Sequence, residues 1–217
     1  MRLLLKLTAI TILLAISVSA LAYIFWYKPK FKQNANASSF AFNKKGINEN
    51  VLSGLKKKAD EINTYANEHK YNDQYCFMVD MKIESGNKRF FVYNLQKDSI
   101  ELSGLVAHGS GKDNSNEIKF SNEPGSLCSS LGKYKIGRSY NGKFGLAYKL
   151  YGLDKTNSNA TNRFVVLHAH SCVPNEETSP IPICESWGCP TVAPTFLSQL
   201  KKYIDRSEKP VLLVIYN

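Results

Sequence analysis

From Gln74 to the C-terminus, short runs rich in Val, Ile, Phe and Tyr are interrupted every few residues by Gly, Asn, Asp and Ser. Runs this short, carrying β-branched and aromatic side chains, suit a pleated sheet better than a helix. Strands are predicted over 75–82, 88–95, 99–107, 133–138, 144–151, 163–169 and 211–216. Ser85-Gly86-Asn87 and Lys97-Asp98 supply turns between the first three. A helix is predicted over 194–205, with Pro194 in its first turn and Leu197, Leu200, Tyr203 and Ile204 on one face. The expectation is a mainly β sandwich or barrel with peripheral helices. Of the residues, 43% are hydrophobic and 12% aromatic, so the chain has material for a core. Disorder throughout and collagen-like or coiled-coil classes are excluded.

The N-terminal segment reads differently. Arg2 and Lys6 precede an uncharged run from Leu7 to Tyr27, about 31 Å long as a helix and so long enough to cross a bilayer. Residues 1–28 are therefore expected to be a signal-anchor or a signal peptide. The run continues past the small-x-small site Ala20-Leu21-Ala22 into the aromatic cluster Tyr23, Phe25, Trp26 and Tyr27, which favours a retained anchor. The expected placement is export, on an inner membrane facing the periplasm, or secretion to the cell wall if the chain is cleaved after Ala22. Residues 29–46 read as a polar linker. Over 47–70, Ile47, Val51, Leu55, Ala59, Ile62 and Ala66 recur at helical spacing. Residues 74–217 then form one domain. The net charge of +10 favours an anionic surface as partner. Export makes nucleic acid an unsuitable one.

Three of the five cysteines and two of the four histidines fall between His168 and Cys189. His168 closes the apolar run Phe164-Val165-Val166-Leu167, so a strand would present it at a rim. Cys189 follows Gly188, whose missing side chain lets backbone N–H groups turn towards a reacting atom. A Cys–His pair suffices for nucleophilic catalysis: the imidazole takes the thiol proton and the sulfur attacks. The N–H groups of Gly188 and Cys189 are candidate oxyanion donors. Two other readings use the same residues. His168, His170, Cys172, Cys184 and Cys189 are zinc-ligand types, but their spacing matches no standard zinc site. In an oxidising compartment, disulfides Cys172–Cys184 and Cys76–Cys128 would leave Cys189 as the free thiol. Cys76 also reads as a small buried hydrophobe. Gly109-Ser110-Gly111-Lys112 is not a phosphate loop, because Val106 and Asp113 stand where Gly and Ser or Thr are required.

Ser186-Trp187-Gly188-Cys189-Pro190, preceded by Arg163-Phe164-Val165-Val166-Leu167-His168, resembles the L,D-transpeptidase catalytic domain of bacterial cell-wall enzymes, in particular the YkuD-type subgroup with a Ser-Trp-Gly-Cys motif. Val106-Ala107-His108-Gly109, Phe120-Ser121-Asn122, Ser129-Ser130-Leu131-Gly132 and Tyr140-Asn141-Gly142-Lys143-Phe144-Gly145 extend the resemblance over about residues 74–216. It implies a mainly β catalytic domain with Cys189 as nucleophile, His168 as base and the Ala169 carbonyl orienting the imidazole. Ser186, Trp187, His170, His108, Arg163 and Tyr140 become candidate substrate contacts. The implied substrate is the stem tetrapeptide of peptidoglycan. Cys189 would attack the L-to-D bond, release D-Ala and pass the acyl group to an amine, giving a 3→3 cross-link. Water as acceptor would make the protein an L,D-carboxypeptidase, and a lipoprotein amine would make it a tethering enzyme. A protein that keeps the fold only to bind the wall is the alternative from another class. The chemistry calls for no cofactor and no metal.

Overall fold

A computed structural model describes residues 49–113 and 117–217, together with Lys6 and Ser17. Apart from those two residues, the expected 1–28 helix and the 29–46 linker lie outside the described residues. Among the described residues, no helix is long and apolar enough to cross a membrane.

Over residues 49–113 and 117–217 the fold is mainly β, with two α-helices on a single curled sheet. The elements in chain order are α1 (Glu49–His69), β1 (Tyr75–Asp80), β2 (Phe90–Asn94), β3 (Ser99–Gly104), β4 (Val106–Ala107), β5 (Gly132–Gly142), β6 (Gly145–Gly152), β7 (Val166–Ala169), β8 (Thr191–Val192), α2 (Pro194–Asp205) and β9 (Leu212–Tyr216). The strand order is β3-β2-β1-β9-β5-β6-β7-β8-β4. The two edge strands, β3 and β4, are therefore separated in the chain by Leu105 alone. Two edges joined by one residue force the sheet to curl into a nearly closed barrel. The single strand expected over 99–107 is in fact two, on opposite edges. Arg89 staples this seam. Its Nε and Nη2 donate to the Val106 carbonyl at 3.1 and 2.9 Å, and its Nη1 donates to the Ile83 carbonyl at 3.0 Å. Full burial of a guanidinium is tolerable only with such partners.

The alternation of strand side chains divides the interior in two. Phe77, Val79, Phe90, Val92, Leu213 and Ile215 face a core that also holds Phe196, Leu197 and Leu200 of α2. Cys76, Met78, Phe91, Tyr93, Leu212 and Val214 face α1, which returns Leu55, Ala59, Ile62 and Ala66 from one side of its cylinder. Both faces of β1 and β2 are thus covered, which is why these strands read as continuous apolar runs. α2 begins at Pro194, where the missing N–H costs nothing.

Cys172 and Cys184 form a disulfide. The expected Cys76–Cys128 bridge does not form. Cys76 is sealed in β1 beneath α1, whereas Cys128 lies in the segment running behind Gly188, so the two thiols belong to different parts of the fold. Burial pushes the Cys76 thiol far up, which makes it inert. Three cysteines are free rather than one.

Because Leu55 is fully buried between α1 and the sheet, Leu55→Ala is expected to lower unfolding stability by roughly 2–4 kcal/mol. Chemical denaturation midpoints of the two proteins measure this.

Candidate active site

β8 is only two residues long, yet it assembles the site. It pairs in parallel with β7, His168 opposite Thr191, and antiparallel with β4, Ala107 opposite Thr191. The residue before β8 is Pro190 and the one before that Cys189, so the parallel register sets Cys189 level with Val166 at the start of β7, two residues along the strand from His168.

His168 is buried. Its Nδ1 lies 3.1 Å from the Ala169 carbonyl oxygen. A carbonyl only accepts, so Nδ1 holds the proton and Nε2 the lone pair. Nε2 lies 3.0 Å from Thr191 Oγ1. Burial holds the imidazole below its ordinary pKa; the Ala169 carbonyl pulls the other way, and His170 adds a smaller downward push. The Cys189 thiol donates to the Phe164 carbonyl at 3.8 Å. Burial raises its pKa, against the Val166 N–H and the charge of Arg163, which lower it. With the thiol pushed up and the imidazole pushed down, the resting pair is neutral. This arrangement suits general-base activation at the moment of attack, not a preformed ion pair.

The loop before Cys189 is stitched to β4. The Ser186 N–H donates to the His108 carbonyl at 2.8 Å, and the Ser110 N–H donates to the Ser186 carbonyl at 2.9 Å. Gly188 has φ of +109°, and a Cβ there would meet the Cys128 carbonyl oxygen at 2.7 Å and Arg163 Nη2 at 3.2 Å. Only glycine fits this turn.

Several candidate residues take other places than the sequence suggested. The Gly188 N–H donates to Ser186 Oγ at 3.2 Å, inside the loop. Ser186 Oγ itself donates to the Cys189 carbonyl at 2.7 Å, within the same loop. Arg163 does not reach into the cleft. Its Nη1 donates to the Ser121 carbonyl at 2.8 Å and Ser130 Oγ at 3.1 Å, and its Nη2 to the Cys128 carbonyl at 2.5 Å. It is a cation packed behind Cys189. His108 is buried as well: Arg89 Nη2 donates to its Nδ1 at 2.9 Å, and its Nε2 faces Glu185 Oε1 at 3.6 Å. His170 is exposed, and its Nδ1 accepts the Cys172 N–H at 3.1 Å. Trp187, 77% exposed, stands at the rim. Tyr140 is exposed on the β5–β6 hairpin. The zinc reading loses two ligands, because Cys172 and Cys184 are bonded to each other.

Sequence reasoning missed Phe144, Phe164, Arg89 and Thr191. Phe144 sits at the hairpin tip between Gly142 and Gly145, stacked on His168 with ring centroids 5.1 Å apart and edge-on to His170 at 5.6 Å. An aromatic between two glycines in a tight hairpin is a visible signal for an exposed platform. Phe164 is 83% exposed and has φ of +56°, uncommon for a bulky residue. This backbone directs its carbonyl to the thiol. Beside His170 a groove of about 360 Å³ opens, lined by Phe144, Leu146, Ala169, Pro194 and Leu197.

Burial first, then Arg89, pushes His108 down to about 4 from 6.5. As pH falls below 6.5 the unfolded chain takes up a proton there, which the folded protein refuses until about 4. The folded state should therefore lose stability across that window and keep the full contribution above it. Denaturation midpoints measured across this pH range should fall less steeply for His108→Gln than for wild type.

The sequence matches the L,D-transpeptidase catalytic domain family over residues 43–216. No curated protein matches it. Among solved structures, it is similar to the helical cell shape determining protein Pgp2 from Campylobacter jejuni, with 14% identity and a TM-score of 0.43 over 68% of this chain and 49% of that one. Bd1075 from Bdellovibrio bacteriovorus gives 15% identity and a TM-score of 0.42 over 68% and 49%. The Ldtfm–avibactam carbamoyl enzyme gives 12% and 0.42 over 67% and 50%. The chain spans about half the length of these structures.

Proposed function

The chain belongs to the L,D-transpeptidase catalytic domain family, and on that premise we propose that it is a cysteine acyltransferase acting on peptidoglycan stem peptides. The observation that carries this reading is the lone pair of His168. The Ala169 carbonyl fixes the proton on Nδ1, so Nε2 keeps its lone pair, beside the Thr191 hydroxyl and two residues along the β7–β8 ladder from Cys189.

In the proposed reaction the Cys189 sulfur attacks the carbonyl between the third residue and the fourth, D-Ala, of a stem tetrapeptide. His168 Nε2 takes the thiol proton as the S–C bond forms. The Cys189 N–H would donate to the developing oxyanion, since the Gly188 N–H already donates to Ser186 Oγ. The imidazolium returns its proton to the leaving amine, D-Ala departs and a thioester remains. An amine from a second stem then gives up a proton to His168 and takes the acyl group, closing a 3→3 cross-link, and the imidazolium passes that proton to the departing Cys189 sulfur. The exposed Phe144, Phe164 and Trp187 offer apolar faces around this centre. They can exclude water from the thioester, which favours an amine acceptor over hydrolysis.

The uncharged Leu7–Tyr27 run supports placing this domain outside the cytoplasm on a membrane anchor. N-terminal sequencing of the native protein tests that: a start at Met1 supports the anchor, and a start at Tyr23 shows cleavage.

The reaction is tested by incubating the protein, Cys189→Ala and His168→Ala with purified disaccharide-tetrapeptide and weighing the products. The expected result is a dimer that has lost one D-Ala, absent with Cys189→Ala and reduced at least about 100-fold with His168→Ala. A tripeptide monomer alone would make water the acceptor. Unchanged substrate in all three would favour a wall-binding role for the fold.

A further inference from the structure

Thr191 lies between the two proposed reacting residues, and nothing above gives it a chemical task. It is 3% exposed, and its Oγ1 sits 3.0 Å from His168 Nε2 and 3.3 Å from the Cys189 carbonyl oxygen. A threonine hydroxyl has one proton and two lone pairs. With Nδ1–H held by the Ala169 carbonyl, the neutral ring offers only a lone pair at Nε2. The Thr191 proton then points at Nε2. Once Nε2 gains a proton, the same oxygen can only accept from it, and the Thr191 proton has one place left to turn, the Cys189 carbonyl.

We propose that the Thr191 hydroxyl is a reversing hydrogen-bond partner that holds the His168 ring in both protonation states and favours the protonated one. The thiol S–H bond breaks and the Nε2–H bond forms. The Thr191 proton is neither lost nor gained; it swings from Nε2 to the Cys189 carbonyl. The neutral state has one O–H···N bond. The protonated state has a charge-assisted N–H···O bond and an O–H···O=C bond in series, and charge-assisted bonds are the stronger. The β7–β8 register that places Thr191 opposite His168 holds the distance. Thr191 is thus a positioning residue: it acts through His168 and touches no substrate.

Other groups around the pair are the same in each variant tested below. His170 follows β7 and Arg163 precedes it. Lys143 lies over the Phe144 ring at the hairpin tip, and β6 offers Ala147 opposite His168. Cys128 and Tyr134 lie behind Cys189, and His108 and Glu185 belong to the β4 side of the loop.

The inference rests on Cys189 and His168 being nucleophile and base, and the experiment separates the two claims. Alkylation of Cys189 by iodoacetamide is followed across pH by peptide mass, which distinguishes it from Cys76 and Cys128. The proteins compared are wild type, Thr191→Val, Thr191→Ala, Thr191→Ser and His168→Ala. Thr191→Val keeps the branched shape and removes the hydroxyl; Thr191→Ser keeps the hydroxyl and removes the methyl. The expected result at neutral pH is a fall of about five- to ten-fold for Val and Ala. The Ser variant should stay within about two-fold of wild type, with its pH profile unmoved. A Val variant as fast as wild type, or faster, overturns the proposal. So does a Ser variant as slow as Ala, which would make the methyl, not the hydroxyl, the important group. A slow His168→Ala beside an unaffected Thr191→Val overturns this inference alone. A His168→Ala protein that alkylates like wild type overturns the underlying reading, and this one with it.

Discussion

The seating of β8 between β7 and β4 is the constraint on which the site depends. Two residues, Thr191 and Val192, hydrogen-bond to strands on both sides. The residues that follow Gly188 are thereby placed: Cys189 level with the start of β7, Thr191 beside the imidazole, and α2 launched from Pro194. The loop leading in must turn at Gly188 against the Cys128 carbonyl, and that carbonyl is held by Arg163. Closure of the sheet is part of the same constraint. β4 reaches β8 only because the chain crosses from one edge to the other at Leu105, and Arg89 fixes β4 there through the Val106 carbonyl.

Electrostatically the site is poised, not charged. Burial keeps the His168 imidazole neutral and the Cys189 thiol protonated. Arg163 and the Val166 N–H oppose this from behind the sulfur. A neutral resting pair spares the fold an isolated buried ion pair, whose desolvation is expensive. In the proposed reaction the charge appears only as the thiol attacks. On the outer side, the His168 ring is covered by Phe144, which also meets His170 edge-on.

Much of this was legible in the sequence wherever the signal was local. The apolar-to-His edge at Leu167-His168 and the Gly188-Cys189 step mark chemistry within a few residues. α2 declares itself through Pro194 and its three-and-four spacing, and the β1 and β2 strands through unbroken apolar runs. What escaped depends on contacts distant in the chain. The break at Leu105 has no local signature, because it arises from the two edges of the sheet meeting. Arg89 looks like any surface arginine until the curl buries it. Arg163 carries a side chain suited to binding substrate, but long-range hydrogen bonds to Ser121, Ser130 and Cys128 engage it in the scaffold. Cys76 and Cys128 satisfied the arithmetic of pairing, and only their places in the fold separate them. Thr191 is the plainest case: its neighbours in sequence say nothing of the imidazole that register sets opposite it.

The central claim is that Cys189 forms a covalent bond to a stem peptide. Intact-protein mass spectrometry after brief mixing with disaccharide-tetrapeptide tests it most directly. The account predicts a wild-type species heavier by one disaccharide-tripeptide acyl group, sensitive to hydroxylamine and absent from Cys189→Ala. A wild-type protein that turns over substrate with no such adduct, or an adduct that survives Cys189→Ala, would contradict it.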